Sequence, residues 1–305
     1  MHWARWMPHA SQDGRGLHEG RVPRAGGLAI WAGLSVLLFV PDSLPFGWPV
    51  ALGAALLVGA ISLADDFRGV PVAVRLAVQL VAALSVAAVL LGDAGPVMPI
   101  IAAALAIAWG SNLYNFMDGS DGLAAMMSIV GFGSLGVAAA ITGTPWLAYA
   151  IVVCACIPFG IANRPPAAMF MGDVGSVPLG FLAASVGLAG VAASTWPAWF
   201  PLLVFLPFVA DASVTLLARG LRGERLWRAH REHYYQRLNR LGAGHRGTLA
   251  VYVAAMLGCG ATALACLAFA PGGGALALAL AAGFHLMGFL AIDYHWRNHR
   301  LRDKQ

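Results

Sequence analysis

The chain alternates long apolar runs with short polar breaks. Runs centred on 25–41, 47–64, 71–91, 96–117, 122–141, 145–162, 175–192, 196–217, 248–269 and 273–293 are roughly 16–22 residues each, about long enough as helices to cross a hydrocarbon core near 30 Å thick. The breaks between them, such as Pro41-Asp42-Ser43-Leu44-Pro45, Gly92-Asp93-Ala94-Gly95-Pro96, Thr142-Gly143-Thr144-Pro145 and Pro271-Gly272-Gly273-Gly274, are turn chemistry too short to hold a separate domain. The pattern predicts an all-α polytopic membrane protein of about ten transmembrane helices. It forms a single integral membrane domain over 1–305, with its polar motifs within 18–238 and two further helices over 248–293.

Composition agrees and adds sidedness. Of 305 residues, 59% are hydrophobic and 11% charged, which excludes an ordinary soluble domain. The net charge of +5 could suggest nucleic acid, but its distribution points elsewhere. The basic residues fall in the N-terminal segment (Arg5, Arg15, Arg21, Arg24), at Arg68 and Arg75, at Arg164, in the arginine-rich 219–246 stretch, and in the tail (Arg297, Arg300, Arg302, Lys304). With ten spans all of these lie on one side, and the opposite connections carry Asp42 and Asp93. The positive-inside rule then puts both termini and every basic loop in the cytoplasm. Cys154, Cys156, Cys259 and Cys266 all lie in apolar runs and read as small buried hydrophobes. Met1–Gly20 has no apolar core of a cleavable signal peptide.

Against this background five carboxylates stand out: Asp65, Asp66, Asp118, Asp121 and Asp173, all at the ends of apolar runs. An ionisable group at membrane depth costs roughly 2.5–3.5 kcal/mol on insertion scales, so function is its default reading. By the same span count all five face the cytoplasm. Adjacent Asp65-Asp66 at a helix C-terminus oppose the macrodipole unless a cation or an arginine compensates; the alternative is an acidic loop paired with Arg68. In Asn112-x-x-Asn115-x-x-Asp118-x-x-Asp121 a continuous helix would rotate the row by about 60° per step. The helix is therefore expected to break at Asp118-Gly119, so that all four groups line one cavity, with Asp121 also serving as N-cap of the next helix. Gly172-Asp173-Val174-Gly175-Ser176 precedes an apolar helix, where free backbone N–H groups favour a phosphate and Asp173 could hold a magnesium ion against it. Gly-Asp-x-Gly also makes ordinary turns.

The stretch from Arg219 to Arg237 is rich in arginine, and much of that charge could be anchoring at an anionic leaflet. His230 and His233, spaced i, i+3, share a helical face; among so many arginines, phosphate recognition is more natural than zinc. His18 to Gly27 reads, alone, as a basic interfacial loop.

Together these segments resemble the polyprenyl-phosphate N-acetylhexosamine-1-phosphate transferases of glycosyltransferase family 4. The resemblance rests on His18…Pro23-Arg24-Ala25-Gly26-Gly27, on Asp65-Asp66 with Arg75 and Gln79, on Asn112 to Gly122, on Phe170 to Gly180 and on Ala229 to Leu238. It implies a magnesium-dependent transfer, with manganese as a substitute, of an N-acetylated sugar 1-phosphate from a UDP-sugar to undecaprenyl phosphate, releasing UMP at the bacterial inner membrane. The implied catalytic residues are Asp65, Asp66 and Asp173. Asn112, Asn115, Asp118, Asp121, Gly172 and Ser176 are implied at the nucleotide sugar, and His230, Arg231 and His233 at phosphate or sugar. Asp173 is the implied metal ligand, with Asp118 second. Membrane lipids and a second copy of the chain are the remaining partners to consider, and nucleic acid is not one. The 229–237 stretch is more similar to enzymes that start O-antigen or related surface glycans than to the peptidoglycan translocase. Family members carry one more apolar span before the His18 motif; this chain opens on a short polar stretch, so either its start is truncated or this form does without that span.

Two other classes compete. A proton-coupled carrier would also use intramembrane acids, but near mid-membrane and at a repeat interface, whereas here the acids share one side and no repeat is visible. A prenyltransferase or phosphatidyltransferase would use an acid-rich magnesium site, but Asp65-Asp66-Phe67-Arg68 is not DDxxD and Asp118-Gly119 is not followed by Ala-Arg.

Overall fold

A computed structural model describes residues 22–92, 96–225 and 230–302; His18, Arg21, Asp93 and the 226–229 segment, which includes Ala229, lie outside the described residues. Among the described residues the α-helices are α1 (Gly26–Leu34), α2 (Trp48–Arg68), α3 (Val72–Leu91), α4 (Val97–Met117), α5 (Leu123–Ile141), α6 (Leu147–Ala162), α7 (Asp173–Ala192), α8 (Trp199–Val204), α9 (Leu206–Leu221), α10 (Tyr234–Leu238), α11 (Gly244–Phe269) and α12 (Gly274–Arg302). Seven stretches are long and apolar enough to cross a membrane: α2, α3, α4, α5, α7, the run Tyr234–Phe269 that joins α10 to α11, and Pro271–His299. Gly26–Phe39 and Leu147–Ala162 are shorter apolar helices. The protein is a multi-pass membrane protein built from helices.

Each apolar run of the sequence coincides with a helix or a closely spaced pair, and the differences have local causes. The run 196–217 is broken: α8 ends at Phe205, which has left helical geometry, and α9 restarts with Pro207 in its first turn. Proline lacks the N–H that would have carried the helix through, and its fixed φ suits a helix start. Between α10 and α11 the chain widens into a π-turn over Asn239–Ala243, with Gly242 at φ 104°. The cysteines divide: Cys156 and Cys259 are buried as expected, but Cys154 is exposed.

The central element is α7, buried along most of its length and packed most extensively against α2 and α4. Its N-terminal end is held by the segment before α1. Phe170 N donates to Pro23 O at 2.9 Å, Gly26 N to Phe170 O at 3.0 Å and Gly27 N to Met171 O at 2.9 Å. Here α1 and α7 meet backbone to backbone. A Cβ on Gly27 would lie 2.4 Å from Gly175 N, and one on Gly175 would lie 2.7 Å from the Gly27 Cα. Small residues let membrane helices approach this closely, and packing then replaces the hydrophobic drive that lipid cannot supply. By contrast α12 presents Leu276, Leu280, Phe284, Met287 and Leu290 outward, as a lipid-facing surface would.

Gly27→Val should therefore lower the stability of the purified protein by about 1–3 kcal/mol, the usual cost of overpacking. Gly53, beside which an added Cβ meets nothing within 4 Å, should accept alanine without loss. Thermal unfolding in detergent checks both, and equal behaviour of the two variants would contradict the packing described.

Candidate active site

The polar ends of α2, α3, α4, α6 and α7 meet at one end of the helix assembly. Asp65 and Asp66 close α2, and the chain turns at Gly69 and Pro71 so that Arg75 in the first turn of α3 points back at them. The Arg75 guanidinium pairs with Asp65 Oδ2 and, at 3.3 Å, with Asp173 Oδ2. Val70 N donates to Asp65 Oδ1 at 2.7 Å. One arginine thus neutralises two carboxylates from different helices, which answers the unfavourable placement of an acid at a helix C-terminus. Asp66 faces α7: Val174 N donates to its Oδ2 at 3.3 Å. Asp173 is the first residue of α7, where the helix dipole favours a negative charge.

The row Asn112-Asn115-Asp118-Asp121 is split rather than lining one wall. The helix does end where the glycine placed it, with Met117 the last residue of α4 and Asp118 its C-cap. Asn112 Nδ2, however, donates to Gln79 Oε1 of α3 and to Ala108 O, both at 2.8 Å, so its amide protons are committed between helices. Asn115 Oδ1 accepts from Ser176 Oγ of α7 at 3.1 Å, and the same hydroxyl reaches Gly172 O at 3.3 Å. These contacts dock the end of α4 on the start of α7. Asp121 is buried and turned into the loop after α6. Its Oδ2 accepts from Ala167 N at 3.0 Å, and its Oδ1 lies 3.6 Å from His245 Nδ1. The expected N-cap role of Asp121 is not found: Gly122 is the N-cap of α5, with φ 78°, and its N–H donates to Asn163 Oδ1 at 2.8 Å.

Asp118 is left half-buried at the end of α4. Burial first, then the Asp173 charge and, more weakly, that of Asp121, push it well above the usual carboxylate range, against the opposing pull of Arg24. Arg24 itself lies beside the Gly172 turn, where a Cβ on Gly172 would meet the Arg24 Cβ at 3.5 Å. Its segment alone read as a basic interfacial loop; only the pairing of Pro23 and Gly26 with Phe170 shows that it belongs to the site. Among the described residues no three His, Cys, Asp or Glu side chains gather as a ready-made metal cage.

The histidines form the other wall. His230 and His233 have ring centroids 4.8 Å apart, and His233 stacks on Phe116 at 5.9 Å, just before Asp118. Tyr235 Oη donates to Phe116 O at 3.0 Å. That approach requires glycine at 119, where a Cβ would lie 2.0 Å from the tyrosine hydroxyl. Arg231 lies between the two histidines in sequence and half-buried. Two acids escaped sequence reasoning here. Asp211, in the middle of α9, is fully buried and 3.4 Å from His233 Nδ1, and Asp293 of α12 pairs with Arg237. Both had the signal that flagged the others, a carboxylate in or beside an apolar run.

A double-mutant cycle on Arg75→Ala and Asp65→Ala, read as unfolding free energy of the purified protein, should return a coupling of about 1–3 kcal/mol, as for neighbours sharing one ion network. Additive losses would contradict the shared guanidinium.

The profile of glycosyl transferase family 4 matches residues 48–191, from α2 to the end of α7. A Bacillus subtilis protein named as a probable undecaprenyl-phosphate N-acetylglucosaminyl 1-phosphate transferase is 25% identical over 258 residues, covering 78% of this chain and 72% of its own length. The decaprenyl-phosphate N-acetylglucosaminephosphotransferase of Mycobacterium tuberculosis is 26% identical over 281 residues, covering 76% of this chain and 69% of its own. The undecaprenyl-phosphate alpha-N-acetylglucosaminyl 1-phosphate transferase of Yersinia pestis is 27% identical over 275 residues, covering 79% and 73%. The profile lies on the helices whose ends build the acidic site, and over that segment the chain is similar to glycosyltransferase family 4.

Proposed function

We propose that this protein transfers an N-acetylated sugar 1-phosphate from a UDP-sugar to undecaprenyl phosphate and releases UMP, as the first membrane step of a surface polysaccharide or cell-wall glycan. The observation that carries this reading is the convergence of Asp65, Asp66, Asp118 and Asp173 with Arg75 and Arg24 at one end of the helices, faced by the His230–His233 pair. Relatives named for this transfer support it. The distribution of arginines supports a reading in which that end faces the cytoplasm at the bacterial inner membrane, where a soluble nucleotide sugar and a lipid phosphate can both reach it. A carrier is disfavoured, since the acids sit at helix ends rather than at mid-helix.

In the reaction a phosphate oxygen of the lipid attacks the β-phosphorus of the donor. The bond from that phosphorus to the oxygen bridging to the α-phosphate breaks, UMP departs with the electron pair, and the sugar remains on a lipid diphosphate. Little covalent help is needed; positioning and charge neutralisation supply most of the acceleration. Asp65 is held by Arg75 and Val70, while Asp66 and the Arg75-paired Asp173 stand at the mouth of α7 to orient the acceptor phosphate. Asn115 and Ser176, locked together, give the nucleotide side a fixed wall. His230, Arg231 and His233 supply donors to phosphate or sugar.

The donor set fits magnesium. Asp118 and Asp173 offer hard carboxylate oxygens, and magnesium is commonly held by one or two carboxylates plus substrate phosphates rather than by an all-protein cage. When bound, the ion would neutralise charge on the diphosphate and favour the ionised form of Asp118. The Asp173→Asn variant should reach the membrane folded but lose magnesium-dependent UMP release by about 10³-fold or more, on the order of 4 kcal/mol of transition-state stabilisation. Full activity in that variant would overturn the assignment of Asp173.

A further inference from the structure

The histidine wall rests on α10, a helix of five residues that meets α11 through the kink at Gly242 and so needs its own anchors. What holds it lies outside the 48–191 segment matched by the family profile. On its inner side is Asp211. Tyr234 N donates to Asp211 Oδ1 and Tyr235 N to Oδ2, both at 2.9 Å. Thr215 Oγ1 donates to Oδ1 at 3.2 Å, the Tyr252 hydroxyl of α11 donates to Oδ2, and His233 Nδ1 stands 3.4 Å from Oδ1. A fully buried carboxylate is tolerated only when its oxygens are satisfied in this way. Here that satisfaction ties α9, α10 and α11 together.

On the outer side is Asp293 of α12. It pairs with Arg237 and accepts from Tyr234 Oη at 3.3 Å. The Arg237 guanidinium lies 4.9 Å from the Tyr234 ring centroid, and that ring stacks on Phe289 at 4.0 Å. Tyr234 is thus gripped by an arginine, a carboxylate and an aromatic ring, two of these from α12. Glu232 adds an outer tie, 2.7 Å from Arg222 Nη2 and 3.7 Å from Arg237 Nη2; being exposed, it contributes little.

We propose that Asp211 and Asp293 are positioning residues that clamp α10 from opposite sides and so set the His230–His233 pair against Phe116, at the end of α4 that carries Asp118. Neither acid touches the region where the β-phosphorus would react. Asp211 fixes the direction of the histidine loop by holding its first two N–H groups. Asp293 makes the C-terminal helix part of the enzyme's donor side. The consequence of loosening the clamp falls on the donor, whose phosphates or sugar the histidines face, and spares the acceptor, which meets Asp66 and Asp173 on the opposite wall. This inference rests on the transferase reading for its kinetic part and on the geometry alone for its structural part.

The test uses the purified full-length protein and the variants Asp293→Asn, Asp293→Glu and Asp211→Asn. Steady-state UMP release is measured with donor and acceptor varied separately, alongside the rate at which diethyl pyrocarbonate modifies His230 and His233, read by mass spectrometry. Asp293→Asn should raise the donor KM about tenfold, leave the acceptor KM within about twofold, and speed histidine modification about tenfold. Asp293→Glu should recover most of both effects. Asp211→Asn, which removes one acceptor oxygen from the buried node, should lower kcat and expose His233 further. If Asp211→Asn fails to fold, the Asp293 pair still decides. Unchanged donor KM and unchanged histidine reactivity in Asp293→Asn would overturn the proposal, as would equal losses for donor and acceptor. If the wild type releases no UMP, the transferase reading fails, and histidine modification still tests the clamp.

Discussion

Carboxylates repel, and in this protein Asp65, Asp66, Asp118 and Asp173 are packed half-buried into one polar end of a membrane protein, where screening by water is weakened. The arrangement depends on Arg75. Its guanidinium bridges Asp65 on α2 and Asp173 on α7, so the two helices that must bring their acids together are drawn together by the charge that offsets them. Arg24, carried in by the segment before α1, opposes the same repulsion from the other side. In the proposed reaction a divalent cation and the donor diphosphate would complete the balance at Asp118 and Asp173.

The helix packing serves this end. α7 can deliver Asp173 to the centre because α1 crosses its start at a Gly27–Gly175 contact with no room for a side chain, and because Asn115 and Ser176 dock α4 on it by a hydrogen bond rather than by bulk. Irregular backbone at this depth is tolerable only where its polar groups find partners. They do: Asn163 accepts from Gly122 and donates to Met169 O, and Asp121 accepts from Ala167. Asp121 thereby ties the turn after Asp118 to the loop after α6.

Much of this was legible in the chain. The apolar runs located the long helices, though not the short α10, because in a membrane length and hydropathy are nearly sufficient constraints. The break of α4 at Asp118 followed from its glycine, and the acids were recognisable by their cost. The misses have physical reasons. The division of α8 from α9 was signalled by Pro207 but masked by the unbroken hydrophobicity around it. Asn112 turned toward Gln79, and Asp121 toward the 163–169 loop, because tertiary partners, not periodicity, decide where a polar side chain at a helix end points. Asp211 and Asp293 were overlooked since each stands alone in its run, without the second acid or glycine that made the other motifs conspicuous. Their importance lies in donors, such as the amides of Tyr234 and Tyr235, that no one-dimensional pattern displays.

The central claim is that the acidic helix ends and the histidine pair are the two walls of one diphosphate-binding site. A cryo-electron microscopy map of the protein with UDP-N-acetylglucosamine and manganese tests it most directly. The account predicts diphosphate density between the Asp118–Asp173 wall and His230–His233, with the metal against Asp173. Nucleotide density bound away from these residues, or a metal that does not touch Asp173 or Asp118, would contradict it.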